Sequence, residues 1–353
     1  MLAHSIFGFR ALPLVMAAAC AALLQPAANA SEVGFRQMAV AANQATDKPA
    51  HFALYYPTPD TVRVTAMGPF PQTVAIHGTP EPKFKGLIVI SHGTAATELG
   101  FATLAQALAR NGYLVASVEH VGDTWQDQSL RATPARYFAE RPRQVSRVID
   151  TLLANPQWRA GIANSADGRP LIGALGHSAG GYTVLALAGG KPVLSRMRTH
   201  CETEAELDPV LCKLSGTMGG ASAQAGAAVD GQEEPVQADT RVRAVMALAP
   251  MGVAFSASSL ASITVPVAIY AGEKDTFLVP RFHAQWVMQN MRGGNATLQL
   301  VPNAGHYACM NTPTIDLPSA DGSVTSDPQG FDRAAFLDRL AQESVAFFDR
   351  SLQ

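Results

Sequence analysis

Gly176-His177-Ser178-Ala179-Gly180 follows the apolar run Leu171 to Leu175 and precedes Tyr182 to Ala188, so a Gly-x-Ser-x-Gly pentapeptide falls where a strand gives way to a helix. A turn of this kind is too tight for side chains at its flanks. Glycine there lets neighbouring backbone pass and leaves the serine hydroxyl exposed. A serine hydroxyl is a poor nucleophile at neutral pH, so it needs a general base within hydrogen-bond reach and a carboxylate that fixes the tautomer of that base. The chain order Ser, acid, His directs the search downstream. Of the nine histidines, only His283 and His306 lie downstream of the strands that follow the elbow strand. His306 ends the loop Asn303-Ala304-Gly305-His306, directly after the last strand, and is the expected base. His283 falls in a helix-like stretch, Arg281 to Met291, and reads as a surface or packing residue. The expected acid is Asp275, in Gly272-Glu273-Lys274-Asp275 just beyond the strand Val265 to Ala271, with Glu273 as the lesser alternative. The other position for an acid, after the preceding strand, is empty because Met246 to Thr264 holds no Asp or Glu.

Acyl transfer also needs donors aimed at the oxygen that becomes negative in the tetrahedral intermediate. The backbone N–H of Ala179, at the start of the helix after the nucleophile, is one candidate. The second is expected in the loop His92-Gly93-Thr94, at Thr94 rather than Ala95.

The elements that must hold these groups alternate in period. Phe52 to Tyr56 and Thr73 to His77 open as strands among several prolines. Gly86 to Ser91 is a continuous apolar run of the kind buried on both faces of a parallel sheet. A helical pattern from Leu99 to Arg110 stops at Asn111-Gly112, a C-terminal cap, and Tyr113 to Val118 is the next strand. Glu119 to Glu140 reads as a long loop, and Val145, Val148, Ile149, Leu152 and Leu153 mark one helical face after it. Strands at Val242 to Leu248, Val265 to Ala271 and Ala296 to Val301 and a terminal helix, Phe331 to Arg350, complete a doubly wound α/β sheet with helices on both faces. Trp125, Tyr137, Phe138 and Phe255 are either pocket-lining or ordinary core aromatics.

The first thirty residues belong to a different class of segment. Arg10 closes a short polar-to-basic start, Ala11 to Leu24 is apolar, and Ala28-Asn29-Ala30 offers small residues before Ser31. This is the pattern of a secretory signal peptide over residues 1–30, cleaved near Ala30/Ser31, with a periplasmic or secreted destination for the catalytic domain of residues 31–353. The apolar core is too short for a membrane span of about 20 residues, and Cys20 lacks the setting of a lipid-attachment cysteine. A net charge of −2 over 353 residues speaks against nucleic acid as a partner. The arginines from Arg131 to Arg159 read as a solvated helix face.

Between Lys191 and Thr240 the strand–helix rhythm breaks. Cys201 and Cys212 bracket an acidic segment there and are expected to close a small loop as a disulfide, in keeping with export. Zinc binding by the pair has only His200 as a further ligand at hand, so no metal is expected. The insertion, residues 191–240, reads either as a lid or as surface decoration, without regular structure. Cys309 is left unpaired, either a small buried group or a reactive thiol.

Taken together, Ile90-Ser91-His92-Gly93, Gly176-His177-Ser178-Ala179-Gly180-Gly181, Ala271-Gly272-Glu273-Lys274-Asp275 and Ala304-Gly305-His306 resemble the α/β-hydrolase superfamily, over nearly all of the chain after the leader. Within it, Val33-Gly34-Phe35-Arg36, Leu54-Tyr55-Tyr56-Pro57 and Arg141-Pro142-Arg143-Gln144-Val145 resemble predicted dienelactone hydrolases and platelet-activating-factor acetylhydrolase-like esterases. Ser178 stands where true dienelactone hydrolases carry a cysteine. The resemblance implies hydrolysis of a small-molecule carboxylic ester through an acyl-enzyme on Ser178, with no cofactor. Cleavage of amide, thioester, lactone or polyester bonds, or a silent binding scaffold, are the other readings open to the same fold.

Overall fold

A run such as Leu-Ile-Val-Ile-Ser has no polar face to offer water, so a strand made from it must be covered on both sides. A computed structural model, which describes residues 1–2, 31–40, 50–217 and 232–353, places that run inside one large sheet. The chain forms β1 (Glu32–Ala39), β2 (His51–Thr58), β3 (Arg63–Thr65), β4 (Gln72–Ile76) and β5 (Leu87–Ser91), then α1 (Ala102–Arg110) and β6 (Leu114–Val118). There follow α2 (Pro134–Ala154), α3 (Pro156–Arg159), β7 (Ile172–His177), α4 (Ala179–Leu187), α5 (Leu194–Thr203) and α6 (Pro209–Thr217). The remainder is β8 (Val242–Leu248), α7 (Ala257–Ala261), β9 (Val267–Gly272), α8 (Ala284–Asn290), β10 (Ala296–Val301), a small hairpin of β11 (Pro318–Ser319) and β12 (Gly322–Ser323), and α9 (Arg333–Ser351).

Among the described residues ten strands share the sheet in the order β10-β9-β8-β7-β5-β6-β2-β1-β4-β3. From β10 to β6 every neighbouring pair is parallel; β2 runs antiparallel to both β6 and β1. Alternate side chains feed two cores. Ile88 and Ile90 pack with Leu104 and Leu108 of α1 and with Phe336, Leu340 and Phe348 of α9. Leu87 and Val89 join the opposite core with Val145, Val148 and Ile149 of α2 and Tyr182 and Leu185 of α4. This is the doubly wound α/β architecture expected from the sequence. The strand order reverses at β5, which lies between β6 and β7, and open parallel sheets bind ligands in the crevice at such a reversal.

Three expectations need correction. The stretch Glu119 to Glu140 is not all loop, because α2 begins at Pro134, a residue suited to a first turn, and continues straight through Pro142. Proline inside a helix removes the N–H that would bond the carbonyl four residues earlier. Here that carbonyl, on Phe138, instead accepts the Tyr182 hydroxyl at 3.1 Å, so α2 keeps its course. The arginine-rich stretch is not a uniformly solvated face either: Arg141 and Arg147 are buried. The inserted segment has regular structure, α5 and α6, tied by a disulfide between Cys201 and Cys212 whose Cα atoms are 5.2 Å apart. With both sulfurs in that bond, neither is available as a thiolate for zinc.

Of the four aromatics, Tyr137, Phe138 and Phe255 are core residues and Trp125 is exposed. Residues 31–353 form one compact unit. The expected leader and the Gly/Ala-rich end of the insertion fall on residues 3–30 and 218–231, outside the described residues. Among the described residues no helix is long and apolar enough to cross a membrane.

Candidate active site

Ser178 links β7 to α4 with φ 58° and ψ −117°, backbone angles that a non-glycine residue adopts only under constraint. The constraint is visible on both sides. The Ser178 N–H bonds the Leu248 carbonyl at 2.9 Å, and its carbonyl accepts N–H groups from Tyr182 at 3.0 Å and Met251 at 3.1 Å. The two flanking glycines are sterically required. A Cβ on Gly176 would lie 2.1 Å from the Gly180 carbonyl oxygen, and one on Gly180 would lie 1.9 Å from that of Ser91. The elbow therefore closes against itself and against the end of β5.

His306 and Asp275 arrive from the carboxyl ends of β10 and β9. His306 Nδ1 donates to Asp275 Oδ2 at 2.8 Å, and both side chains are buried. The other carboxylate oxygen accepts the backbone N–H groups of Phe277 and Leu278 at 2.9 and 2.8 Å, so the acid is clamped before it holds the ring. Phe277 stacks on His306 with centroids 4.6 Å apart. His177, the residue before the nucleophile, donates from Nε2 to the His306 carbonyl at 2.9 Å and fixes that loop to the elbow. Burial, followed by the neighbouring His306, pushes the His177 ring down to about 3. It stays neutral, as a donor must that serves only to position. Glu273, the lesser alternative for the acid, is exposed and meets the Asn303 N–H instead.

The other downstream histidine has an aspartate of its own. His283 Nε2 donates to Asp208 Oδ2 at 2.9 Å. Its Nδ1, however, accepts the N–H groups of Gly252 and Val253 at 3.1 and 3.4 Å. Both ring nitrogens are engaged, and none is left to take a proton from a nucleophile. His306 Nε2 makes no hydrogen bond among the described residues, to Ser178 Oγ or to any other group, so it is available to accept a proton.

The loop after β5 lies against the nucleophile: a Cβ on Gly93 would sit 3.3 Å from Ser178 Cβ. Ala95, with φ 54°, gives its N–H to Asp123 Oδ1 at 3.0 Å. Among the described residues the Thr94 N–H has no acceptor, nor does that of Ala179 at the first turn of α4, where helix N–H groups go unpaired. The two N–H groups named from the sequence, those of Thr94 and Ala179, are thus both unengaged.

A polar network not foreseen from the sequence fixes this loop from below. The Arg141 guanidinium, wholly buried, pairs with Asp123 and donates to the His92 carbonyl and, at 3.1 Å, to the Thr183 hydroxyl. His92 donates from Nδ1 to the Gly93 carbonyl at 2.6 Å and accepts the His120 N–H on Nε2 at 3.1 Å. His120 accepts the Ser91 hydroxyl at 2.7 Å and donates to Gln144 at 3.0 Å. Burial and the nearby Arg141 charge push His92 down to about 3 and His120 well below its ordinary value. The Thr94 hydroxyl meets the Tyr137 hydroxyl at 2.6 Å. The only sequence sign of this network was a cluster of polar residues beside apolar strand ends.

Asp208 was equally hidden. It comes from the insertion between α5 and α6, and its Oδ2 also accepts His200 Nε2 at 2.8 Å. Burial alone would raise its carboxyl, but the bonds from His200 and His283 win and hold it at about 2. The insertion therefore braces the segment from Met251 to Val253, which in turn touches the Ser178 carbonyl. Cys309 is buried, and burial with the nearby Asp275 charge pushes its thiol up to about 12, which suits a small packing group. Among the described residues no cluster of His, Cys, Asp and Glu is arranged to hold a metal.

The sequence matches no family model and no curated protein. Among solved structures the fold resembles a ferulic acid esterase from Streptomyces cinnamoneus, with a TM-score of 0.59, 17% sequence identity and coverage of 93% of this chain and 91% of that one. At that identity the likeness is one of fold: a doubly wound α/β architecture shared over most of both chains.

Proposed function

We propose that the protein is an exported serine hydrolase of carboxylic esters, of the dienelactone hydrolase-like and platelet-activating-factor acetylhydrolase-like esterase group. The observation that carries this reading is the contrast between the two histidines. His306 is oriented by Asp275 and keeps one ring nitrogen for a reaction, at the elbow that holds Ser178 in a constrained conformation. Ser178 attacks the ester carbonyl as His306 takes its proton. Asp275 stabilises the imidazolium, and the N–H groups of Thr94 and Ala179 receive the oxyanion. The imidazolium then protonates the leaving alcohol, and water activated by His306 releases the acid. This sequence of steps needs no cofactor. The fold shared with an esterase supports the choice of ester, and the disulfide supports a leader peptide over residues 1–30 and an oxidising destination.

The test is hydrolysis of p-nitrophenyl esters from acetate to palmitate by the purified protein, with Ser178→Ala beside it. Turnover in the variant is expected to fall by about 10⁴-fold or more, because members of such a unit fail together. A variant that retains turnover once wild-type contamination is excluded removes Ser178 from the mechanism.

A further inference from the structure

Beside the insertion lies a cavity of about 580 Å³ that none of Ser178, Asp275 or His306 lines. Its wall comes from α5, with Arg196, Thr199 and His200; from Arg281, Phe282 and Trp286 around the start of α8; and from Val253. It is open to solvent on one side, and its volume falls in the range of small-molecule sites, about 300–1,000 Å³. What distinguishes it is the state of its two arginines. Arg281 lies over the Phe282 ring at 4.2 Å and has Glu204 at 3.6 Å. Arg196 lies over the Trp286 ring at 4.3 Å and donates from Nε to the Val253 carbonyl at 3.3 Å. The indole itself is pinned by its bond to the Phe255 carbonyl at 3.2 Å. No acidic group pairs with Arg196 among the described residues.

A guanidinium held on one face by a ring and on one edge by a carbonyl has already lost most of its rotamer freedom, so little remains to be lost when it binds. Its Nη groups are a planar fork that matches a carboxylate. Partial desolvation lowers the Arg196 charge state's advantage, and a bound anion would restore it. Of the acidic groups at this wall, Asp208 is committed to His200 and His283, whereas Glu204 lies 3.6 Å from Arg281, beyond hydrogen-bond distance and partly exposed, so the Arg281 guanidinium keeps its donors. The remaining surface, Val253, Phe282 and Trp286, is apolar or aromatic.

We propose that this cavity is a binding site for a small organic carboxylate with an aromatic or apolar body, its carboxylate on Arg196 and Arg281. The site is distinct from the catalytic centre and does not depend on the hydrolytic reading. The test is titration of the purified protein with benzoate by calorimetry, with benzamide as the neutral analogue. Benzoate is expected to saturate one site and benzamide to bind at least about tenfold more weakly, a difference of about 1.4 kcal/mol. Arg196→Gln is expected to weaken benzoate by about tenfold or more, and Arg281→Gln to weaken it as well, so a folding failure in one variant leaves the other informative. Arg198→Gln, on the same helix but outside the cavity, is expected to change nothing. Protein whose serine has been capped by a fluorophosphonate is expected to bind benzoate as before. Loss of binding on capping would place the ligand at the serine, and equal affinity in wild type and both cavity variants would place it elsewhere; either result overturns the proposal. Failure of the fluorophosphonate to label the protein counts against the hydrolase reading alone, and the arginine variants still decide this one.

Discussion

Replacing Asp208 by alanine removes the single acceptor shared by two imidazole N–H groups, that of the buried His283 and that of the part-buried His200. Each donor left unpaired in the interior costs about 1–3 kcal/mol, so the variant should lose about 2–6 kcal/mol of stability. That is a large part of the 5–15 kcal/mol by which a domain is typically stable, roughly speaking. Asp208→Asn keeps an acceptor for both N–H groups but gives up the charge and puts an NH2 group where Oδ1 is buried without a partner, and should lose less than the alanine variant. Urea unfolding followed by circular dichroism measures both, with an unchanged dependence on urea concentration as the sign that only stability has moved. The activity should shift as well, because His283 holds the N–H groups of Gly252 and Val253 next to the residue that bonds the Ser178 carbonyl. The expected pattern is a fall in kcat with a smaller change in KM. If Asp208→Ala unfolds within about 0.5 kcal/mol of wild type, the insertion does not brace the site and the argument from the buried carboxylate is wrong.

Asp275→Asn, which preserves shape but lets His306 adopt the wrong tautomer, should lower kcat by about 10⁴-fold on a p-nitrophenyl ester while leaving the fold intact; a loss under tenfold would mean that another group orients the ring. Gly180→Ala places a Cβ 1.9 Å from the Ser91 carbonyl oxygen, so the elbow and β5 must part; activity should be nearly lost and the melting temperature lowered, and a fully active variant would contradict the backbone geometry. Acid should destabilise the protein through His92 and His177, which stay neutral in the folded state down to about 3 but protonate near 6.5 when unfolded. The unfolded chain binds more protons between those values, so stability is full above the upper one and falls with acid, by up to about 1.4 kcal/mol per pH unit for each ring. Urea midpoints taken between neutral and mildly acidic pH should show the slope, and a flat profile would rule out neutral buried imidazoles.

The parts of the site that follow chain order were legible in the sequence. β5, β7 and β9 announce themselves as apolar runs and β10 as an alternating one, and each is followed by its loop, so His92 to Thr94, Ser178, Asp275 and His306 could be placed without knowing which strands are neighbours. The parts set by contacts between distant residues were not. Asp208 and His283 are 75 residues apart, and Arg141 and Asp123 meet only once α2 packs beneath the loop after β5. Arg141 was misread for a related reason. Arginine-rich stretches usually face water, and no local pattern marks the one guanidinium that a buried carboxylate will neutralise. The start of α2 was obscured by Pro142, whose cost is met by the Tyr182 hydroxyl from another helix. β1 escaped because its alternating residues are interrupted by Gly34, whose place a side chain would contest with the Tyr56 ring at 2.2 Å.

The direction of β1 has a practical meaning for anyone who wishes to fix this protein to a surface. Since β1 is antiparallel to β2 and β2 to β6, β1 runs the same way as the strands that carry Ser178, Asp275 and His306, and Glu32 lies opposite Thr58, at the end of the sheet away from their carboxyl termini. From there to the level of the reactive loops is about 20 Å along the strands, and from β1 to β7 is about 20 Å across four strand spacings. A bead, a carrier protein or an electrode film attached at the exposed Glu32 therefore leaves from the rear of the sheet, and the immobilised molecule presents its reactive edge to the solution.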